Sequence, residues 1–572
     1  MEKKAKSFIK GALILGIANL IVKLIGAGFK IPLINIIGDE GSGYFNIAYQ
    51  IYTFMFIVAT AGFPVAISKM VSESMARGCN NEARKVFSVA LRFLVCVGFA
   101  GSLILYFFAD KLAALVHIPD AEAGIRVIAP AVLFVAISSA FRGYFQGRQN
   151  MYPTAFSEVV ESSGKMIIGL LGASFFMGMA IDPNIKGFVD IAARTVSDQN
   201  TRTVLASTGA IFGVTAGTLL SALLLSVIYF FTRKRREVSL DVPHGNRTIL
   251  KSLVRIAVPI TIGASVSSLT TLIDMMTISR RLVVRPVVLD KYAFLFREGT
   301  EFFEKAIEGG WHGITLLTHK ATMLYGMYTG KALTMFNLPL TLIVALGTSV
   351  VPAIAAAVAK NSKQEAKKIT ENTLHIAMLF AAPCSIGLAV LSQEILNLLF
   401  GTYDAHSVLT VLSMAIIPVA LVQVSNSILQ AYGKVYKPVV HMIIGGIIKA
   451  LINFFCIPYL GIDGAPVGTC ICYLIIAILN IISIVKASGI RFRWIKCVIK
   501  PVAAAVIMGI AGFAIAKVLP MGRIMCIAEI AVCAFIYALA VLLVKAVDAE
   551  DIKSLPKGEK IAAILQKRGI IR

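Results

Sequence analysis

Residues 23–69 read KLIGAGFKIPLINIIGDEGSGYFNIAYQIYTFMFIVATAGFPVAISK, two apolar runs parted by the short polar stretch Gly38 to Gly43. Each run is long enough to cross about 30 Å of hydrocarbon. The first carries Lys23 and Lys30, and a charge at the centre of a bilayer costs at least about 2.5–3.5 kcal/mol. A chain that keeps two cations there uses them. Seven residues return a helix to within about 20° of its starting face, so the two ammonium groups are expected on one stripe, facing an anion.

The rest of the chain extends this pattern. With 57% apolar and 15% charged residues and a mean hydropathy of +0.81, the composition is that of a polytopic membrane protein. The net charge of +24 is spread over many short connections, as cytoplasmic loops require, so no nucleic-acid partner is expected. Of the nine cysteines, Cys96, Cys384, Cys456, Cys470, Cys472, Cys526 and Cys533 lie in apolar runs without metal or disulfide spacing, and read as small core residues. The apolar run after Lys3, Lys4 and Lys6 lacks a small-residue cleavage site, so the first span is expected to be retained.

Apolar runs of about 20 residues place spans near 11–37, 44–68, 86–109, 125–147, 153–180, 206–232, 252–279, 322–358, 372–400, 407–431, 437–459, 464–486, 498–519 and 523–546, fourteen in all. Lysines and arginines gather in alternate connections: Lys3 to Lys10, Lys69 to Lys85, Arg142 with Arg148, Arg233 to Lys251, Lys360 to Lys368, Lys434 with Lys437, Lys486 to Lys500, and the tail from Lys545. Both termini are therefore expected in the cytoplasm. The opposite connections are short and neutral or acidic, such as Gly38 to Gly43 and Gly401 to His406. The exception is the segment Arg280 to Lys320, expected to form a small ordered cap or amphipathic helix.

Landmarks recur in order. Ala61-Gly62-Phe63-Pro64 followed by Glu82-Ala83-Arg84-Lys85 is echoed by Gly347-Thr348-Ser349-Val350-Val351-Pro352 followed by Glu365-Ala366-Lys367-Lys368. Gln146 and Pro153 lead to Lys165 as Gln430 and Pro438 lead to Lys449. The expected fold is all-α: a six-helix bundle over 1–232, a basic linker 233–251, a second bundle over 252–486 with the insert 280–320, two further helices in 487–547, and a tail 548–572. Such bundles suit alternating access, with Pro64, Pro259, Pro352, Pro383 and Pro418 as bending points, although proline is common in membrane helices anyway.

Further charges lie inside the spans: Glu158, Glu161, Lys165, Asp274, Lys331 and Lys449. Glu161 and Lys165 stand four apart and could neutralise one another on one helix face; Lys30 could snorkel to an interface. Lys23, Lys331 and Lys449 have no acidic residue three or four positions away, so each needs a partner elsewhere, a wet cavity or a ligand. A lysine-lined cavity suits phosphate, because ammonium is a hydrated point charge that needs no fixed bidentate geometry. Lys23, Lys30, Lys165, Lys331 and Lys449 are thus the candidate substrate contacts, and Asp274, Glu158, Glu161, Pro64 and Pro352 the coupling or gating candidates. No catalytic, metal or organic-cofactor motif is read in the chain.

The Lys-Ile-Pro motif at Lys30, the Gly-Asp-Glu-Gly-Ser-Gly turn and the segment Thr60-Ala-Gly-Phe-Pro-Val-Ala-Ile-Ser-Lys69, with Tyr328-Thr-Gly-Lys331, Asn337-Leu-Pro339 and Ala345-Leu-Gly-Thr348, resemble the stage V sporulation protein B and polysaccharide-biosynthesis branch of the MOP flippase superfamily, relatives of the lipid II flippases. That resemblance implies a bacterial plasma-membrane carrier, not an enzyme, that moves an undecaprenyl-pyrophosphate-linked saccharide such as lipid II to the outer leaflet for peptidoglycan or spore-cortex synthesis. It implies membrane lipids and other cell-wall synthesis proteins as partners, and coupling to membrane potential, Na+ or H+. Lys23, Lys30 and Lys331 match arginines that line the flippase cavity; in the second span the corresponding position, near Phe56 or Ile57, is apolar. A MATE-type drug or cation antiporter is the nearest rival. A membrane glycosyltransferase, suggested only by Asp39 and Glu40, is disfavoured by the shortness of their loop.

Overall fold

The computed structural model describes residues 2–181, 194–233, 242, 244–359, 362–489, 494–518 and 522–547; the tail 548–572 and residues 234–241 and 243 of the basic linker lie outside them. Among the described residues the protein is all-α apart from one pair of two-residue strands, Ala180–Ile181 parallel to Thr195–Val196. Two compact units divide it, Met1–Gly330 and Lys331–Arg572. Among the described residues nine helices are long and apolar enough to cross a membrane, or ten with the bent pair His406–Ser413 and Ile416–Ala431. Two of the nine candidates, Leu15–Ala76 and Tyr436–Ser488, run to 62 and 53 residues, on the order of 80–90 Å of helix and enough for two crossings each. Fourteen separate crossings remain the reading of the sequence.

The first unit holds α1 (Glu2–Thr60), α2 (Phe63–Ala76), α3 (Asn80–Phe107), α4 (Ala109–Leu115), α5 (Glu122–Gly147), α6 (Tyr152–Met177), α7 (Gln199–Arg233), α8 (Asn246–Val284), α9 (Glu301–Glu308) and α10 (Gly313–Gly326). Within α1 the expected polar turn shrinks to one residue. Gly38 alone leaves helical geometry, at φ 70°, ψ −176°, a conformation in which L side chains are strained. Gly41 and Gly43 serve packing instead. A Cβ on Gly43 would stand 2.7 Å from the Thr322 carbonyl oxygen, and one on Gly326 would stand 1.7 Å from that of Asp39, so α1 and α10 touch backbone to backbone.

The second expected span is also broken, at Ala61–Gly62, where α1 ends and α2 begins. Pro64 sits in the first turn of α2, where its missing N–H costs nothing. The Gly62 N–H finds a partner across the break in Thr261 Oγ1 of α8, at 3.1 Å. Helices α6 and α7 meet along glycines on both sides: a Cβ on Gly213 would lie 2.3 Å from Gly169, and one on Gly209 2.8 Å from Gly172. In lipid, where apolar side chains gain nothing by leaving the solvent, such close contact replaces hydrophobic burial as the cohesive force.

The boundary between the two compact units falls after Gly330. The reason is α8, whose Ile249, Leu253 and Ala257 join Phe63, Ile67, Phe87, Phe141 and Tyr144 in one buried cluster. The insert 280–320 is ordered within this unit, with a 3-10 stretch Pro286–Leu295 before α9.

The second unit opens on the last residues of a π turn, Met327–Ala332, which interrupts the expected eighth span at Lys331. It continues with α11 (Leu333–Ala359), α12 (Lys363–Val390), α13 (Ser392–Phe400), α14 (His406–Ser413), α15 (Ile416–Ala431), α16 (Tyr436–Leu460), α17 (Gly464–Ser488), α18 (Lys500–Val518) and α19 (Arg523–Leu543). Pro352 lies in α11, its side chain outside those described. Pro383 lies inside α12, and Pro418 in the first turn of α15, beyond a 43° bend from α14. The appended α19 is tied to α12 by Tyr537, whose hydroxyl donates to the Leu379 carbonyl at 2.9 Å.

Candidate functional site

Along the second crossing of α1, residues 45, 49, 52 and 56 recur at helical spacing, and their rings form a ladder. Phe45 and Tyr49 stack with centroids 5.8 Å apart, Tyr49 meets Tyr52 at 6.0 Å, and Tyr52 stacks on Phe56 at 6.2 Å. Phe29, from the first crossing, closes edge-on against Phe45 at 5.8 Å. Lys165 of α6 lays its ammonium over this ladder, 4.1 Å from the Tyr49 centroid and 5.3 Å from that of Phe29. Lys30 stands close enough for the two charges to repel, and its Nζ donates a 3.4 Å bond to the Thr329 carbonyl.

The ion pair expected between Glu161 and Lys165 does not form. Glu161 is taken by Arg142 of α5, Nη2 to Oε2 at 2.7 Å, while Arg142 also donates to Ser157 Oγ at 3.1 Å and Ser221 Oγ at 3.0 Å. Guanidinium presents a rigid fork of donors that carboxylate and two hydroxyls can fill together; a single ammonium offers less. Arg142, grouped by sequence with the basic loop at Arg148, is thus an interior residue bridging three helices. Its capture of Glu161 leaves Lys30 and Lys165 as two half-buried cations with no ion pair among the described residues. Glu158, one turn away, has one carboxylate oxygen buried without a hydrogen-bond partner.

The other predicted residues have different surroundings. Lys23 is exposed on α1. Asp274 is buried in α8 and accepts from the Tyr328 hydroxyl at 3.3 Å. In the second unit Lys331 is buried, donates to Thr402 Oγ1 at 2.9 Å, and pairs with Asp404 at 3.8 Å. Its partner therefore comes from the connection 401–405, which the sequence offered only as a neutral or acidic loop. Lys449 is buried in α16.

Sequence profiles converge on this architecture from both ends. That of the polysaccharide biosynthesis protein family matches residues 8–183, and that of lipid II flippase MurJ matches 321–532. Stage V sporulation protein B of Bacillus subtilis (strain 168) is 24% identical over 561 residues, covering 96% of this chain and 98% of that protein. This chain is a homologue of stage V sporulation protein B and MurJ. Lipid II flippase MurJ of the same organism is 25% identical over 524 residues, 89% of this chain and 88% of that one. Among solved structures, a lipid II flippase MurJ in an inward closed conformation superposes with a TM-score of 0.66 at 14% identity, covering 92% of this chain and 98% of that one. An inward-facing MATE-family multidrug transporter superposes at 0.62 and 13% identity, covering 83% and 98%. The chain is a multi-pass membrane protein, and its likeness to both structures lies in the fold. Where the resemblance places an arginine near Phe56 or Ile57, it has the ladder, with Lys165 of α6 laid against it.

Proposed function

We propose that this protein is a flippase for an undecaprenyl-pyrophosphate-linked saccharide, lipid II or a related cell-wall precursor, carrying it from the inner to the outer leaflet by alternating access. The observation that supports the reading is the pair Lys30 and Lys165, without counter-ions among the described residues and set beside an aromatic ladder. A pyrophosphate of two negative charges cannot enter hydrocarbon unaided. Each ammonium brought within about 4 Å of a phosphate charge contributes on the order of 4 kcal/mol of gross attraction at an effective dielectric of about 20. Tyr49 and Tyr52 supply flat apolar and polar surface next to that charge, as a saccharide requires.

In this reading the chain is a carrier with no bond-making step, both termini are cytoplasmic, membrane lipids and cell-wall synthesis proteins are its surroundings, and the cycle is driven by membrane potential acting on the positive patch, worth about 2.3 kcal/mol per charge per 100 mV, or by Na+ or H+ bound elsewhere. The MATE-like fold supports a second reading, a drug exporter. Complementation of a strain depleted of its lipid II flippase separates them: the wild type rescues growth, whereas Lys30→Gln and Lys165→Gln at equal protein level do not. Failure of the wild type to rescue, together with raised drug tolerance, favours the exporter.

A further inference from the structure

At the end of the first unit away from α2, α1 presents Glu40, 4% exposed, and Tyr44 to a cluster drawn from four other elements. His319 of α10, 7% exposed, donates from Nδ1 to Glu40 Oε1 at 2.7 Å. Its Nε2 faces Asp120 Oδ2 of the 3-10 turn Pro119–Ala121 at 3.9 Å. The Tyr44 hydroxyl lies within 3.0–3.4 Å of Glu40, Asp120, Asn200 of α7 and His319. From α9, Lys305 reaches Glu40 Oε2 at 3.8 Å, Glu301 at 3.0 Å and Thr203 Oγ1 of α7 at 3.3 Å. Trp311, after the turn that ends α9, stacks flat on the His319 ring, centroids 3.5 Å apart and planes 4° from parallel.

We propose that His319 is a proton-binding site, and that its proton fastens the cap, residues 285–313, to α10 and to α1 beside its Gly38 kink. Two counts lead there. Lys305 is shared between Glu40 and Glu301, and Asp120, its side chain 36% exposed, meets no cationic side chain within 4 Å among the described residues except the His319 ring; an imidazolium supplies that charge. The ring also has acceptors on both sides. With Nδ1–H committed to Glu40, a neutral ring turns a lone pair from Nε2 toward the Asp120 carboxylate, whereas the protonated ring presents an N–H there. The same proton strengthens the stack, since a cationic ring is attracted to the indole face. Trp311 is where this reaches the cap, because its backbone N–H is bonded to Ala306 O of α9 at 2.9 Å and its ring packs on Phe302 at 5.7 Å. The cap is therefore docked when the proton is bound and loosens as pH rises. This concerns the cap alone and stands apart from the anion proposed for the Lys30–Lys165 patch.

Trp311 is itself the reporter, since the chain has only two tryptophans and Trp494 can be replaced. In the full-length Trp494→Phe protein, reconstituted in liposomes, protonated imidazole quenches the stacked indole, so Trp311 emission rises with pH in a single-proton transition. In a His319→Gln background the transition is lost. In an Asp120→Asn background it persists with its midpoint moved to lower pH, a shift that a merely structural role for Asp120 does not produce. A flat wild-type titration, or a transition that survives His319→Gln, overturns the proposal.

Discussion

The bond between Arg142 and Glu161 is the arrangement that leaves Lys165 free, and a double-mutant cycle measures it. Glu161→Gln removes the acceptor of a 2.7 Å charge-assisted bond whose partners are only 16% and 27% exposed. Bonds to charged groups in such settings contribute about 1.5–3 kcal/mol net, and the stranded guanidinium keeps only Ser157 and Ser221. An Arg142→Gln, Glu161→Gln cycle is expected to give a coupling of about 2 kcal/mol by that scale, read from reversible unfolding in mixed micelles. The rival pair, Glu161 with Lys165, would be an ordinary four-residue helix pair worth about 0.2–0.5 kcal/mol, and its cycle is expected to show no coupling. A larger coupling of Glu161 to Lys165 than to Arg142 would refute the assignment and return Lys165 to a structural role.

Two further outcomes follow from the packing and the cap. Gly62→Val puts a Cβ 2.0 Å from the Ala257 carbonyl oxygen and displaces the Thr261 cap, so the α2–α8 joint must open. A loss of about 2–4 kcal/mol, typical of overpacking joined to a lost hydrogen bond, is expected as a lowered melting temperature, whereas a side chain at Gly245, where a Cβ meets open space, is expected to be tolerated. Glu301 is held below the ordinary carboxylate value: partial burial pushes it up, but Lys305 and its hydrogen bonds push it down further. A depressed native value stabilises above the unfolded value and is lost as pH falls through it, so amide exchange over 301–311 should quicken below about pH 4.3 in the wild type and not in Glu301→Gln. That acid loosening is opposite in sign to the proposed His319 effect.

The hydrophobic runs made the all-α, membrane-spanning class legible, because crossing hydrocarbon leaves a one-dimensional signature. What the sequence hid was partner choice. Lys165 follows Glu161 by one helical turn, so spacing alone suggests their pairing; Arg142 is nineteen positions earlier and meets Glu161 only because α5, α6 and α7 converge. Glu40 sits between glycines and reads as a turn residue, yet those glycines bring α1 against α7 and α10 and bury it. His319 and Lys305 looked like scattered charges of an insert. A single signal was available: a histidine, a tryptophan eight residues before it and a lysine fourteen before it, in the one long connection that carries both signs.

The central claim is that Lys30 and Lys165 together receive a lipid-linked pyrophosphate. Its most direct test is translocation of a fluorescent undecaprenyl-pyrophosphate saccharide in proteoliposomes of the purified protein, comparing wild type, Lys30→Gln, Lys165→Gln and the double variant. The account predicts transport by the wild type, a loss of at least about tenfold in each single variant, as for about 1.4 kcal/mol of lost attraction, and none in the double variant, with Lys23→Gln less affected. Undiminished transport in the double variant, folded and inserted, would contradict it.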